Sequence, residues 1–420
     1  MSGAWRTVGD PLVAGAASGP LARVRVAVKD VVAVAGQRVG AGCPTWLAEA
    51  VPEPRHAPAV TALLAAGADV RGVAVTDELA WSLTGRDPRT GGPPNGAAPG
   101  RLPGGSTSGP ASAVALGEAD LGLGTDTAGS LRVPASYQGL WGLRTTHGLV
   151  PREGVLPLAP TFDTVGWLAR DPDLLHRALV ATVGTAAVPD DGASDEVDLV
   201  VDPGLLAAAG GATRSALEAL LDLWRARGHR VREVVLPSPV DVAEAFTVVQ
   251  AAEARRAHGA WVRAHPGALG PVAAARFAAA ESVTAEQERA ARWRLEAHGA
   301  RVRALLGCRV LVQPATPGPA PPLSASEERL ADVRSATLQL TTPTCAAGLP
   351  ALSAPLLVVD GAPVGVALVG AAGSDGRLVR LAGRLARDAA GAAAGVAAGA
   401  AADRRTPPPP PRPTVPGGDR

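Results

Sequence analysis

The stretch from Pro103 to Gly148 reads PGGSTSGPASAVALGEADLGLGTDTAGSLRVPASYQGLWGLRTTHG. It holds two turns rich in serine and glycine, Gly104-Gly105-Ser106-Thr107-Ser108-Gly109 and Asp126-Thr127-Ala128-Gly129-Ser130. Between them, Ala111 to Leu116 has the small-residue composition of a buried helix. Leu121 to Thr125 then predicts a strand that runs into the second turn. A turn of glycine and small residues can aim several backbone N–H groups at one point, and such a nest stabilises a developing oxyanion. Ser130 closes the second turn, where a nucleophile would stand.

A serine nucleophile needs a base. None of the seven histidines lies in a triad motif. His147, the nearest in sequence, reads better as a turn residue, and the G-x-S-x-G elbow is absent. Lys29 remains, at the end of a strand predicted over Val24 to Val28, and α/β proteins place their sites at the carboxyl ends of strands. Among 420 residues Lys29 is the one lysine, against 39 arginines, with no isoleucine and one each of Asn, Tyr and Met. Arginine evidently serves wherever bare positive charge suffices. Lysine, once desolvated, can become a neutral amine base, which arginine cannot. Composition alone is equally consistent with a surface lysine that survived by chance, so its setting in the motifs decides.

Farther out, helix is predicted over Ala59 to Ala66 and strand over Val70 to Val75, and residues 84 to 110 are loop, dense in Gly and Pro. A second series follows the polar stretch Pro189 to Glu196. It has strands at Val197 to Val201, Val231 to Leu236 and Val310 to Gln313, and a helix face of Leu217, Leu220, Leu221 and Trp224. Residues 241 to 306 are almost continuously helical in pattern. Leu356 to Val369 reads as two strands around the Asp360-Gly361 turn. This alternation predicts an α/β sheet covered by helices.

The segments VAVKD, GGS-x-SG and GTDT-x-GS-x-R-x-P, in that order and followed by GL(R/K), resemble the amidase-signature family. The resemblance runs from about residue 5 to about residue 385, and PATPGPAPPL with AGLPALSAPLLVVDGAPVGVALVG fits the family's end. It implies a central mixed β-sheet covered on both faces by α-helices. It makes Ser130 the nucleophile, Ser106 a bridging serine joined to Gly105 by a cis peptide, and Lys29 a buried neutral base. The amides of Thr127, Ala128, Gly129 and Ser130 would form the oxyanion hole. Asp126, Arg132 and Asp30 would be structural, and Thr107 and Ser108 would stabilise the first turn, Ser108 by bonding the backbone. The chain departs from the family pattern at Pro110, at Gln138 and at Gly72-Val73-Ala74, none of which touches Lys29, Ser106 or Ser130.

Within the family, TDELAWSLTG, APGRLPGGS and RVPASYQGLWGLRTTHGLV look like the plant-type indole-3-acetamide hydrolases and their bacterial relatives. That implies cleavage of a small aryl-acetamide or aliphatic primary amide to acid and ammonia, without metal or cofactor. The rival readings are a glutaminase subunit of an aminoacyl-tRNA amidotransferase, an allophanate hydrolase, and a scaffold that has lost catalysis. Residues 1–402 are expected to form one domain, with a catalytic core over about 20–170 and a variable substrate-covering region over about 241–306. A disordered Pro-rich tail is expected over 403–420.

A net charge of +1 gives no bulk attraction to nucleic acid or an anionic membrane. Ala389 to Ala402 is too weakly apolar to span a bilayer. Three widely spaced cysteines (Cys43, Cys308, Cys345) fit a reducing cytoplasm. The partner expected is a small-molecule amide, and a homodimer is compatible with the chain.

Overall fold

The computed structural model describes residues 2–87, 89–188 and 197–403. Eleven strands form one sheet: β1 (Trp5–Val13), β2 (Arg25–Lys29), β3 (Asp69–Ala74), β4 (Leu121–Asp126), β5 (Trp141–Arg144), β6 (Thr164–Ala169), β7 (Leu199–Val201), β8 (Val231–Glu233), β9 (Val310–Pro314), β10 (Ala351–Val359) and β11 (Ala362–Val369). Their spatial order is β1-β3-β2-β4-β6-β5-β10-β11-β9-β7-β8. The pairs β3/β2, β2/β4, β9/β7 and β7/β8 are parallel and the others antiparallel, so the sheet is mixed as expected.

Strands β4 and β6 are buried at every position, which requires cover on both faces. The helices are α1 (Pro44–Glu49), α2 (Pro58–Ala65), α3 (Ser108–Ala115), α4 (Arg132–Tyr137), α5 (Pro172–Val183), α6 (Pro203–Ala207), α7 (Gly211–Ala226), α8 (Pro239–Ala264), α9 (Pro271–Glu281), α10 (Ala285–Leu306), α11 (Glu327–Ala347) and α12 (Asp375–Asp403). Among the described residues, no helix is long and apolar enough to cross a membrane.

Several expectations are refined. The region 241–306 is three helices, because His265-Pro266-Gly267 and Gly270-Pro271 interrupt the pattern and Thr284 begins α10 with a capping box. Pro110, where the chain departs from the family pattern, is accommodated at the start of α3. It occupies the helix's third position, where a missing N–H leaves no intrahelical bond unmade. The Asp360-Gly361 turn has both residues at positive φ (49° and 73°), as the tight turn between β10 and β11 requires. Residues 189–196 and, within the expected tail, 404–420 lie outside the described residues.

Candidate active site

The site assembles where three neighbouring elements end. Strand β2 lies between β3 and β4, parallel to both, so Lys29 emerges beside the turn that leaves β4. Its side chain is fully buried, with Nζ 2.8 Å from Ser106 Oγ and 2.7 Å from Thr125 Oγ1. Burial pulls the ammonium down to about 7, against Asp77, Asp126 and Asp163, which favour the charged form. An amine in this setting exchanges a proton near neutrality.

Ser106 follows a cis Gly105–Ser106 peptide bond. Its carbonyl accepts from Thr76 Oγ1 (2.7 Å), and the next amide, Thr107 N–H, donates to the Ser130 carbonyl (3.1 Å). The two serine turns are therefore tied to each other directly. Glycine is required at 105 because a Cβ there would lie 2.6 Å from both carboxylate oxygens of Asp77.

The second turn is clamped from below by Asp126. Its carboxylate accepts from Gly129 N–H (2.8 Å), Leu131 N–H (3.2 Å), Arg132 Nε (3.0 Å) and Nη2 (2.9 Å), and Arg144 Nη1 (3.1 Å). Burial alone would raise this carboxyl, but Arg132, Arg144 and the amides outweigh it and hold it well below the usual range. Arg132 is raised in turn, since Asp126 overcomes the cost of burying it. These residues brace the turn, as the sequence implied, and Arg144 is a third member the sequence reading missed.

Of the amides expected at an oxyanion, Gly129 N–H is thus already engaged. Those of Thr127, Ala128 and Ser130 have no acceptor among the described residues. Thr127 Oγ1 donates to Asp163 (2.6 Å), whose carboxylate also accepts the amides of Leu158 and Ala159. From the far side of the turn, Thr341 Oγ1 on α11 donates to the Ala128 carbonyl (2.7 Å).

The remaining singled-out residues fall outside the reacting cluster. Asp30 pairs with Arg6 (2.9 Å), and burial raises it to about 6. His147 Nε2 meets the Pro160 carbonyl at 3.0 Å in a turn. Thr107 Oγ1 donates to the Thr125 carbonyl (3.2 Å), a turn-stabilising bond as expected. Ser108 corrects its expectation: its hydroxyl donates to the Asp77 carboxylate (3.3 Å) and not to backbone. Gln138 braces the loop before the first turn through Gly96 N–H (3.2 Å) and the Pro103 carbonyl (3.1 Å). Asp77, in the quoted TDELAW segment, is the acid the sequence reading overlooked; it sits under the first turn and accepts Gly85 N–H (2.9 Å).

With this geometry in view, comparison with known proteins is informative. The family model described as Amidase matches residues 9–379. Amidase 1 of Arabidopsis thaliana is 34% identical over 389 residues, covering 86% of this chain and 92% of the relative. Amidase 1 of Oryza sativa subsp. japonica is 33% identical, covering 85% and 88%. The chain belongs to the amidase-signature family.

A solved amidase structure superposes on this amidase-signature fold with a TM-score of 0.79 at 34% identity, covering 87% of this chain and 84% of the other. Amide hydrolysis through an acyl-serine, with a serine–lysine relay, is therefore the chemistry of this hydrolase. A cavity of about 770 Å³ lies beyond α4 from the Ser130 turn, and neither serine turn nor Lys29 is part of its lining. Its walls come from Asp77 to Thr84, from Val133 and Tyr137 of α4, from the start of α9 and from the first half of α11. Leu83, Val133 and Tyr137 belong to one apolar cluster with Ala128, which sets the Ser130 turn behind that wall.

Proposed function

We propose that this enzyme hydrolyses small primary amides, aryl-acetamide or aliphatic, with Ser130 as nucleophile, Ser106 as proton bridge and Lys29 as base. The observation that carries the reading is the contact of a fully buried amine, titrating at about 7, with Ser106 Oγ at 2.8 Å. Neutral Lys29 takes the Ser106 proton while Ser106 takes that of Ser130. Ser130 Oγ bonds to the amide carbon, and the oxyanion forms against the amides of Thr127, Ala128 and Ser130. Gly129, whose amide is held by Asp126, keeps the turn open for them.

On collapse the C–N bond breaks, and the relay returns the proton to the departing nitrogen as ammonia. Water then attacks the Ser130 ester and gives its proton to the relay; the ester C–O bond breaks as the relay returns that proton to Ser130 Oγ, and the acid leaves. Trp81, Leu83, Leu102, Val133 and Tyr137 on the cavity wall support an apolar acyl group, and the indole-3-acetamide-like motifs favour an aryl one.

The test is ammonia release from indole-3-acetamide, phenylacetamide, benzamide, short aliphatic amides, glutamine and allophanate, with Ser130→Ala in parallel. Release from aryl or aliphatic amides that vanishes in the variant is expected. Turnover confined to glutamine or allophanate would transfer the enzyme to one of the rival activities, and undiminished turnover by Ser130→Ala would remove Ser130 from the mechanism.

A further inference from the structure

The cavity beyond α4 from the Ser130 turn contains a charge that the rest of the wall does not answer. Arg276 of α9 and Arg334 of α11 both line it. Arg276 is anchored, donating to the Trp81 carbonyl. Arg334 has no hydrogen bond or ion pair among the described residues, although four acids share the wall. Each of those acids is occupied. Asp77 is held by Gly85 and Ser108, Glu78 by Gly270 and Arg89, Asp87 by the Arg89 and Thr90 amides, and Glu327 by Arg86.

Burial, and then the neighbouring charge of Arg276, bring Arg334 down to about 9, so it still carries its proton at neutral pH. Arg334 is partly buried, its guanidinium has no protein partner among the described residues and is repelled by the charge of Arg276, and an anion arriving between them offsets that repulsion. The planar fork of the guanidinium matches a carboxylate in two parallel hydrogen bonds.

Position supplies the rest. Arg334 and Thr341 lie on the same helix, and Thr341 holds the Ala128 carbonyl of the catalytic turn. Seven residues of helix separate them, roughly 10 Å along the axis. A group bound at Arg334 would thus be separated from the scissile bond by a short spacer, running past Thr337 and Val133.

We propose that Arg334, with Arg276 beside it, receives a carboxylate at the end of the substrate remote from the scissile amide, so that ω-carboxylated primary amides are preferred over their neutral counterparts. This rests on the amidase reading above and specifies its substrate class.

The test measures binding apart from turnover. Calorimetric titration of the Ser130→Ala protein with glutaramate, adipamate and suberamate is compared with titration by pentanamide, hexanamide and octanamide. At least one carboxylated member should bind about 10-fold or more tighter than its neutral partner. Arg334→Met should erase that difference while leaving the neutral amide's affinity within about twofold. Equal binding within every pair, including no binding by either member, overturns the proposal, as does an Arg334→Met protein that keeps the difference. Ammonia release by the wild type from neutral amides is read separately, so failure of the carboxylate site is distinguishable from failure of the amidase reading.

Discussion

Replacing Lys29 by arginine keeps a positive charge and removes the ability to give it up. If the amine is the base, Lys29→Arg should lower kcat by about 100-fold or more, the usual scale for a general base. Wild-type kcat/KM should rise with pH through about 7, where the buried ammonium loses its proton, and this limb should be absent in the variant. Steady-state rates between pH 5.5 and 9 check both, and a wild-type rate in Lys29→Arg would refute the assignment. At this scale the sequence was most readable. Lys29, Ser106 and Ser130, the residues we propose for the chemistry, sit in short fixed motifs. Arg144 stood in the quoted GL(R/K) segment without a role read for it, and Asp163 and Arg334 carried no local signal, because each matters through a partner or a neighbour distant in the chain.

Among the elements, α11 reaches from the cavity wall to the Ser130 turn. Thr341 Oγ1 holds the Ala128 carbonyl, and the Thr341 carbonyl accepts from Arg132 Nη1 (3.2 Å). Thr341→Val keeps the shape and removes the hydroxyl donor. The loss of one buried hydrogen bond, about 1 kcal/mol, should appear as a roughly 3- to 10-fold fall in kcat with KM little changed. An unchanged kcat would show that the turn is held without α11. This helix was illegible in sequence because Thr341, Thr342, Pro343 and Thr344 break its apolar periodicity. Pro343 nonetheless lies inside the helix. Strand β1 was hidden for a related reason: Gly9, Asp10 and Pro11 interrupt its pattern, and its pairing with β3 shifts register there.

For the whole molecule, a single hydrogen-bonded sheet links the serine turns at one end to β7 and β8 at the other. We propose on that basis that residues 1–402 unfold as one unit, and calorimetry should give one transition. Two separated transitions would split the chain into independent parts. Trp167, fully buried on β6 at the centre of the sheet, is the sharpest probe of that unity. Trp167→Ala should cost about 3–5 kcal/mol and shift the whole transition downward. The α/β alternation was foreseeable from strand and helix periodicity, and the mixed sheet from the family resemblance. The spatial order of the strands was not, since it depends on which buried faces meet across more than a hundred residues of sequence.

The solitude of Lys29 reaches beyond catalysis. A lysine-selective nitrogen isotope label would place a single side-chain signal in the entire 420-residue chain, on the amine that meets Ser106 Oγ. The protonation state of a buried amine, ordinarily lost among dozens of overlapping surface resonances, could then be followed directly as substrate, inhibitor or solvent isotope is changed.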